Sequence, residues 1–360
     1  MTCKPAVGAF FTRRTGRLHM QETPLQQQGS LLHNTLINSI VTPAPGELAR
    51  RRPSMCHDGT PLVYSLQLDK GDKAPAFRLL VEPGGTGITV PQQISFSLRA
   101  LDQLLHLLGW QESVEDVNAI VSRVFPSEAT PVSHWWGGIW LGMSLDHQSA
   151  DLRLYLNLRH GEALARWQRV ADVLGWFGDE ALSATFNRWL AAVSSHATPV
   201  GLGVVVAGGR VRGLRVYTGL YAPTQETMEA ACLDMAGGDK LKLKLLTDTF
   251  TGWLGTFQPQ SVTMGYDFRL EATGTLHPAI ARVKVDISCQ LLPSDKRADV
   301  VPVFSDIISA WDFDTTYLHE YLDDLRECFG GYVVEFLSLG FRGELDHVTL
   351  YTKPDGCAPG

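Results

Sequence analysis

Leucine fills the even positions from Leu152 to Leu158, while Arg153, Tyr155, Asn157 and Arg159 fill the odd ones. Side chains alternate sides along a strand, so this stretch carries one apolar face and one face of cations and a phenol. Ile280–Ile287 repeats the pattern, with Arg282, Lys284 and Asp286 opposite Val283, Val285 and Ile287. Leu214-Arg215-Val216-Tyr217, Phe77-Arg78-Leu79-Leu80 and His347-Val348-Thr349-Leu350-Tyr351 are shorter forms of it. Each is the second strand of a pair that follows a helical stretch. Strands of one sheet that each contribute a cation or a phenol point to a shared anion site.

The same reading places strands at Leu62–Leu68, Phe77–Glu82, Gly138–Ser144, Asp151–Arg159, Gly201–Ala207, Val211–Tyr217, Ser261–Leu270, Ala279–Cys289, Tyr332–Leu339 and His347–Thr352. Helical periodicity lies near 31–40, Ile94–Leu108, Ser113–Val124, 161–175, 179–194, 224–235, 240–254, 302–311 and 315–328, with Ser113 and Asp116 resembling a capped start. Residues 1–30, rich in Gln, Thr and Gly, read as a peripheral or flexible lead-in to a single domain. The fold class is α+β, with five helix-helix-hairpin units. Ten antiparallel strands form either a closed barrel around a lined cavity or an open sheet with a solvated polar face. The pairing of Arg with Tyr favours the cavity.

A net charge of −7 argues against general affinity for nucleic acid or anionic membranes, so local positive charge favours a small anionic ligand. Six scattered cysteines without a CxxC pair read as reduced thiols, and no apolar run is long enough to span a bilayer. A cytoplasmic protein, monomer or homodimer, is expected.

At Ser54-Met55-Cys56-His57-Asp58-Gly59-Thr60-Pro61-Leu62-Val63-Tyr64-Ser65 the chain resembles the bacterial indole prenyltransferases of the dimethylallyltryptophan synthase type. Their signature is a DGxP(I/L)E(F/Y)S-like stretch, followed by a strand bearing Arg and then Glu-Pro; Arg78 and Glu82-Pro83 supply the second piece. Arg153-x-Tyr155, Arg215-x-Tyr217, Lys284-x-Asp286, Tyr332 and Tyr351 follow in order, so the resemblance runs over residues 45–353. It implies the ABBA prenyltransferase barrel, ten antiparallel strands around a central cavity encircled by helices.

The resemblance further implies transfer of an allylic C5 or C10 group from dimethylallyl or geranyl diphosphate to an indole or indole alkaloid. Arg78, Arg153, Arg215, Arg282 and Lys284 would hold the diphosphate, suiting bidentate guanidinium contacts. Tyr155, Tyr217, Tyr332 and Tyr351 would shield the prenyl cation. Met55, Val63 and Trp140 would meet the acceptor, and Glu82, Asp286 or His57 would take the proton. No metal is required, and Mg²⁺ at most stimulates. Departures from the family pattern are Val63 in place of glutamate, arginine for the common lysine at 153 and 215, Asp286 in place of an aromatic, and Gly213 at an often basic position. A phenolic, polycyclic or peptide-borne acceptor, or a non-catalytic barrel binding an anionic aromatic or isoprenoid ligand, are the alternatives.

Other motifs carry less. Asp323-Asp324-Leu325-Arg326-Glu327 resembles the acidic motif of metal-dependent isoprenoid synthases, but reads better as a solvated helix face. His319-Glu320 lacks a second His, and Gly84-Gly85-Thr86-Gly87 lacks the lysine of a phosphate loop. Trp135-Trp136 is a further candidate floor for the acceptor.

Overall fold

The computed structural model describes residues 4–17, 24–40, 60–71, 75–84, 89–125, 137–146, 149–178, 186–187, 189–191, 193–221, 224, 262–271, 274–342 and 344–355. Ten strands alternate in hairpins: β1 (Leu62–Asp69), β2 (Ala76–Val81), β3 (Ile139–Leu145), β4 (Ala150–Asn157), β5 (Ala197–Ala207), β6 (Arg210–Leu220), β7 (Val262–Leu270), β8 (Leu276–Ser288), β9 (Tyr332–Arg342) and β10 (Glu344–Pro354). Each pairs antiparallel with its chain neighbours, and β10 closes onto β1. Closure settles the choice left by periodicity in favour of the barrel. It also removes every sheet edge.

The alternating apolar residues point outward. Leu152, Leu154 and Leu156 are each 1% exposed and join one continuous apolar layer between barrel and helices. The helices long enough to matter are α1 (Lys4–Arg17), α2 (Pro24–Asn38), α3 (Val90–Leu108), α4 (Val114–Val124), α5 (Ala163–Phe177), α6 (Val300–Ala310) and α7 (Thr316–Phe329). α5 buries Trp167, Val170, Val173, Leu174 and Phe177, a stripe at helical spacing. The expected helices at 224–235 and 240–254 lie outside the described residues, as do parts of 179–194 and Gly85–Gly87. Among the described residues no helix is long and apolar enough to cross a membrane.

Two expectations are corrected. Ser113 does not cap α4 with its side chain; its hydroxyl donates to the Trp110 carbonyl at 2.8 Å. The capping box belongs to α3, where Thr89 and Gln92 satisfy each other's backbone N–H groups. Within the lead-in, residues 4–17 form α1 and bury Val7, Phe10, Phe11 and Arg14. That spacing of three, four and seven is a helical stripe, obscured in the sequence because its last member is charged. Arg14 is buried because it meets Asp324 on α7 at 2.9 Å.

Candidate active site

The inward face of the barrel divides into a cationic and an aromatic half. Toward the hairpin turns, Arg78, Arg153, Arg215 and Arg282 line a cavity of about 260 Å³, with Arg212, Arg269 and Arg342 on its wall. Arg215 grips Asp267 at two points, Nη2 donating to Oδ2 at 2.7 Å and Nε to Oδ1. Arg282 donates to Asp346 Oδ2 at 2.6 Å and 3.2 Å. Arg153 lies 3.9 Å from Asp151. Arg78 differs. It donates to the neutral groups Gln67 Oε1 and Ser144 Oγ, and among the described residues no carboxylate pairs with it.

These surroundings shift the charges in opposite senses. Burial lowers the Arg78 pKa, and repulsion from Arg153 and Arg215 adds to it. Burial also opposes the charge on Arg215, but Asp267 outweighs it and raises that pKa well above the ordinary value. Burial would raise the Asp267 carboxyl, yet Arg215 holds it below the usual carboxylate range.

Toward the ends where the helices enter, Val63, Leu80, Trp140, Tyr155, Tyr217, Phe336 and Tyr351 line a second cavity of about 160 Å³. The two cavities adjoin at Tyr155 and Tyr217, which line both and whose ring centroids lie 6.3 Å apart. Lys284 and Asp286 are polar groups on the aromatic wall. Lys284 Nζ lies 3.0 Å from Asp286 Oδ1 and donates to Tyr351 Oη at 3.1 Å. Burial disfavours the Tyr351 phenolate, but Lys284 and Arg78 outweigh burial and lower its pKa.

Small residues make room for the large ones. One row of cross-strand partners reads Tyr217, Gly265, Lys284, Gly340, His347. A Cβ at Gly340 would fall within the His347 ring, so only glycine lets that imidazole lie across β9. A Cβ at Gly265 would stand 3.2 Å from Arg215 Cδ and 3.3 Å from Lys284 Cβ.

No family model and no curated protein matches the chain. Solved structures do. A 5-dimethylallyl tryptophan synthase from Streptomyces coelicolor, in complex with DMASPP and Trp, superposes with a TM-score of 0.75 at 17% identity, covering 97% of this chain and 94% of that one. A 6-dimethylallyltryptophan synthase from Micromonospora olivasterospora gives 0.75 at 14% identity, with 98% and 97% covered. The ternary complex of the prenyltransferase PriB with L-tryptophan and dimethylallyl thiolodiphosphate gives 0.74 at 18% identity, with 98% and 96% covered. The fold is that of the indole prenyltransferases.

Within this barrel, four expected cations (Arg78, Arg153, Arg215 and Arg282) come together on one cavity wall. Lys284, expected among them, lines the aromatic cavity. Tyr155, Tyr217, Tyr351, Val63, Trp140 and Asp286 line that cavity too. Tyr332 does not. It packs on the outer core layer and accepts from Arg326 of α7 at 3.2 Å. The reason is a bulge: pairing with β10 steps from Phe336–Tyr351 to Val334–Thr352, so Glu335 is an extra residue on β9 and reverses the alternation. Phe336 takes the inward place, its ring 6.1 Å from Tyr351 and perpendicular to it. Glu82 is buried beyond the end of β2, its carboxylate packed under Gly137, and lines neither cavity. Met55, His57 and Trp135-Trp136 lie outside the described residues.

Asp267, Asp346, Gln67, Ser144, Phe336 and His347 are interior residues that the sequence reading did not single out. Part of the signal was present. Thr263, Gly265, Asp267 and Arg269 alternate with Val262, Met264, Tyr266 and Phe268. The acidic motif on α7 resolves as packing: Asp324 is fully buried against Arg14 and Arg17, while exposed Asp323 pairs with Arg326 at 2.7 Å. Among the described residues no cluster of His, Cys, Asp and Glu is arranged to hold a metal ion.

Proposed function

We propose that this barrel is an aromatic prenyltransferase that transfers an allylic C5 or C10 group from its diphosphate to an indole-type acceptor. The observation that carries the reading is the junction of an arginine-lined cavity with an aromatic one across Tyr155 and Tyr217. A diphosphate matches the first by charge and bidentate geometry. An allylic chain and a flat ring match the second.

In this reading Arg78, Arg153, Arg215 and Arg282 hold the diphosphate. The allylic C–O bond breaks, and its electron pair leaves with pyrophosphate onto the guanidinium wall. Tyr155, Tyr217, Phe336 and Tyr351 present π faces to the cation and exclude water. The acceptor ring attacks the cation, and loss of a ring proton restores aromaticity. Of the three proton acceptors considered, Asp286 stands on the wall of the aromatic cavity, held by Lys284. The solved complexes of similar fold contain tryptophan with DMASPP or dimethylallyl thiolodiphosphate, which supports this donor and acceptor class.

A second reading of the acceptor has its own support. Val63 joins Leu80 and Trp140 in an apolar cluster, where a phenolic or polycyclic ring without an N–H fits as well as an indole. Mass spectrometry of the purified protein with dimethylallyl or geranyl diphosphate and a panel of indoles, indole alkaloids and phenols separates the two. One added prenyl unit identifies donor and acceptor class; parallel reactions in EDTA and Mg²⁺ test the metal requirement. Absence of donor binding overturns the proposal. Donor binding without product across the panel favours the binding barrel.

A further inference from the structure

His347 lies on the inner face of β10, 1% exposed, with its ring across Gly340 and in register with Lys284 on β8. Its Nδ1 is 3.2 Å from Asp346 Oδ1, and the other oxygen of that carboxylate holds Arg282 at 2.6 Å. An ionised carboxylate only accepts, so Nδ1 carries the ring proton and Nε2 is the basic nitrogen. Asp346 thus ties an imidazole to a member of the arginine wall in one rigid unit. The sequence offers no assigned task for this histidine, and packing alone does not call for an imidazole among cations.

We infer that His347 takes up a proton when the diphosphate binds and becomes an additional cation of the donor site. The inference rests on the donor-site reading above. Groups of both signs face the ring. Arg282 and Lys284 come from β8, Arg215 from β6 and Arg78 from β2. Against them stand Asp346 on its own strand, Asp267 on β7, which is electrostatically coupled to the ring, and Asp69, its cross-strand partner on β1. Burial dominates and the four cations add to it, so the imidazole is held neutral, its pKa well below the ordinary range. A diphosphate seated on the same cations reverses the sign of the field at Nε2. The proton comes from solvent, no covalent bond changes, and the proton returns when pyrophosphate leaves. Binding and protonation are reciprocal, so donor affinity falls as pH rises from the pKa of the free imidazole to that of the bound one.

Isothermal titration calorimetry with dimethylallyl thiolodiphosphate tests this on the full chain at pH 8, where the free diphosphate is ionised. Heats in two buffers of different ionisation enthalpy give the number of protons taken up. The wild type is expected to take up about one proton more than His347→Gln. Below the pKa of the bound imidazole its affinity should fall about tenfold per pH unit and above that pKa level off, while that of the variant changes less. Equal proton uptake by the two overturns the inference while leaving the donor site standing. Failure of the wild type to bind overturns the donor-site reading itself. If the variant does not fold, ¹⁵N-histidine spectra of the wild type read the same event. One imidazole gaining a proton on donor addition supports the inference, and unchanged histidine nitrogens overturn it.

Discussion

Arg215 and Asp267 face each other across β6 and β7 as a two-point ion pair, Nη2 lying 2.7 Å from Oδ2. The carboxylate orients the guanidinium and also shields it, so that under the proposed function an incoming diphosphate meets a partly neutralised group. Asp346 does the same for Arg282. Under the proposed function this arrangement favours release of pyrophosphate as well as its capture.

Asp267→Asn keeps the shape and removes the shielding charge. Donor and pyrophosphate should then bind several-fold tighter, and turnover should drop as product leaves more slowly. Product-inhibition kinetics measure this; an unchanged inhibition constant for pyrophosphate would count against the shielding role.

Arg78 is 4% exposed and hydrogen-bonded to Gln67 and Ser144 rather than paired with a carboxylate among the described residues. A buried charge without a counter-charge costs stability, and under the proposed function donor binding is the reason to keep it. Arg78→Met should therefore leave the ligand-free protein as stable or more stable, while donor affinity falls about a hundredfold. Thermal melts with and without a thiolodiphosphate read both effects at once. A large drop in the ligand-free melting temperature would make Arg78 a structural residue instead.

The bulge at Glu335 predicts opposite outcomes for two aromatic residues of one strand. Phe336→Ala should lower kcat by about tenfold or more by removing a face of the cation's enclosure. Tyr332→Phe should leave turnover unchanged, because Tyr332 contacts Arg326 outside the barrel. Steady-state kinetics with one donor decide between them.

His33 of α2 is 2% exposed and stacks on Phe11 at 4.1 Å between ring centroids. Burial lowers its pKa to about 4. The unfolded chain binds this proton near pH 6.5 and the folded chain only near pH 4, so stability rises with pH across that window. Acidification from pH 7 to pH 4 should remove roughly 3 kcal/mol through this group. His33→Phe keeps the stack and should flatten that part of the profile, measured by urea unfolding at several pH values.

Asp324 of α7 is fully buried and gathers Arg14 and Arg17 of α1, each at 2.9 Å. Asp324→Ala leaves Arg14, 1% exposed, without this anion. A loss of about 3–5 kcal/mol is expected. Denaturant titration checks it, and a loss under 1 kcal/mol would place the pair among weak surface contacts.

Much of the barrel is legible in the sequence. Each of the ten predicted strands overlaps an observed one, because alternation of leucine or valine with polar residues is a direct consequence of pleat geometry. The inward Arg-x-Tyr pairs of β4 and β6 followed from the same rule. Tyr332 was misread because a single extra residue reverses the alternation, and nothing in Tyr332–Leu339 marks Glu335 as that residue. Asp267 was overlooked although it shares the face of Arg269, since a lone acidic residue in a strand has no meaning until its neighbour is known.

The chain by itself determined which residues share a face, because the direction of each Cβ is settled by the local backbone. Only the tertiary structure decided what those faces meet. Arg215 finds its carboxylate 52 residues away and Arg282 finds Asp346 64 residues away, through the registers of strands brought side by side. Closure of β10 onto β1 then turns ten polar faces inward, where low dielectric and crowding make each pairing matter. Local geometry is written residue by residue, whereas charge balance inside a barrel depends on every strand at once.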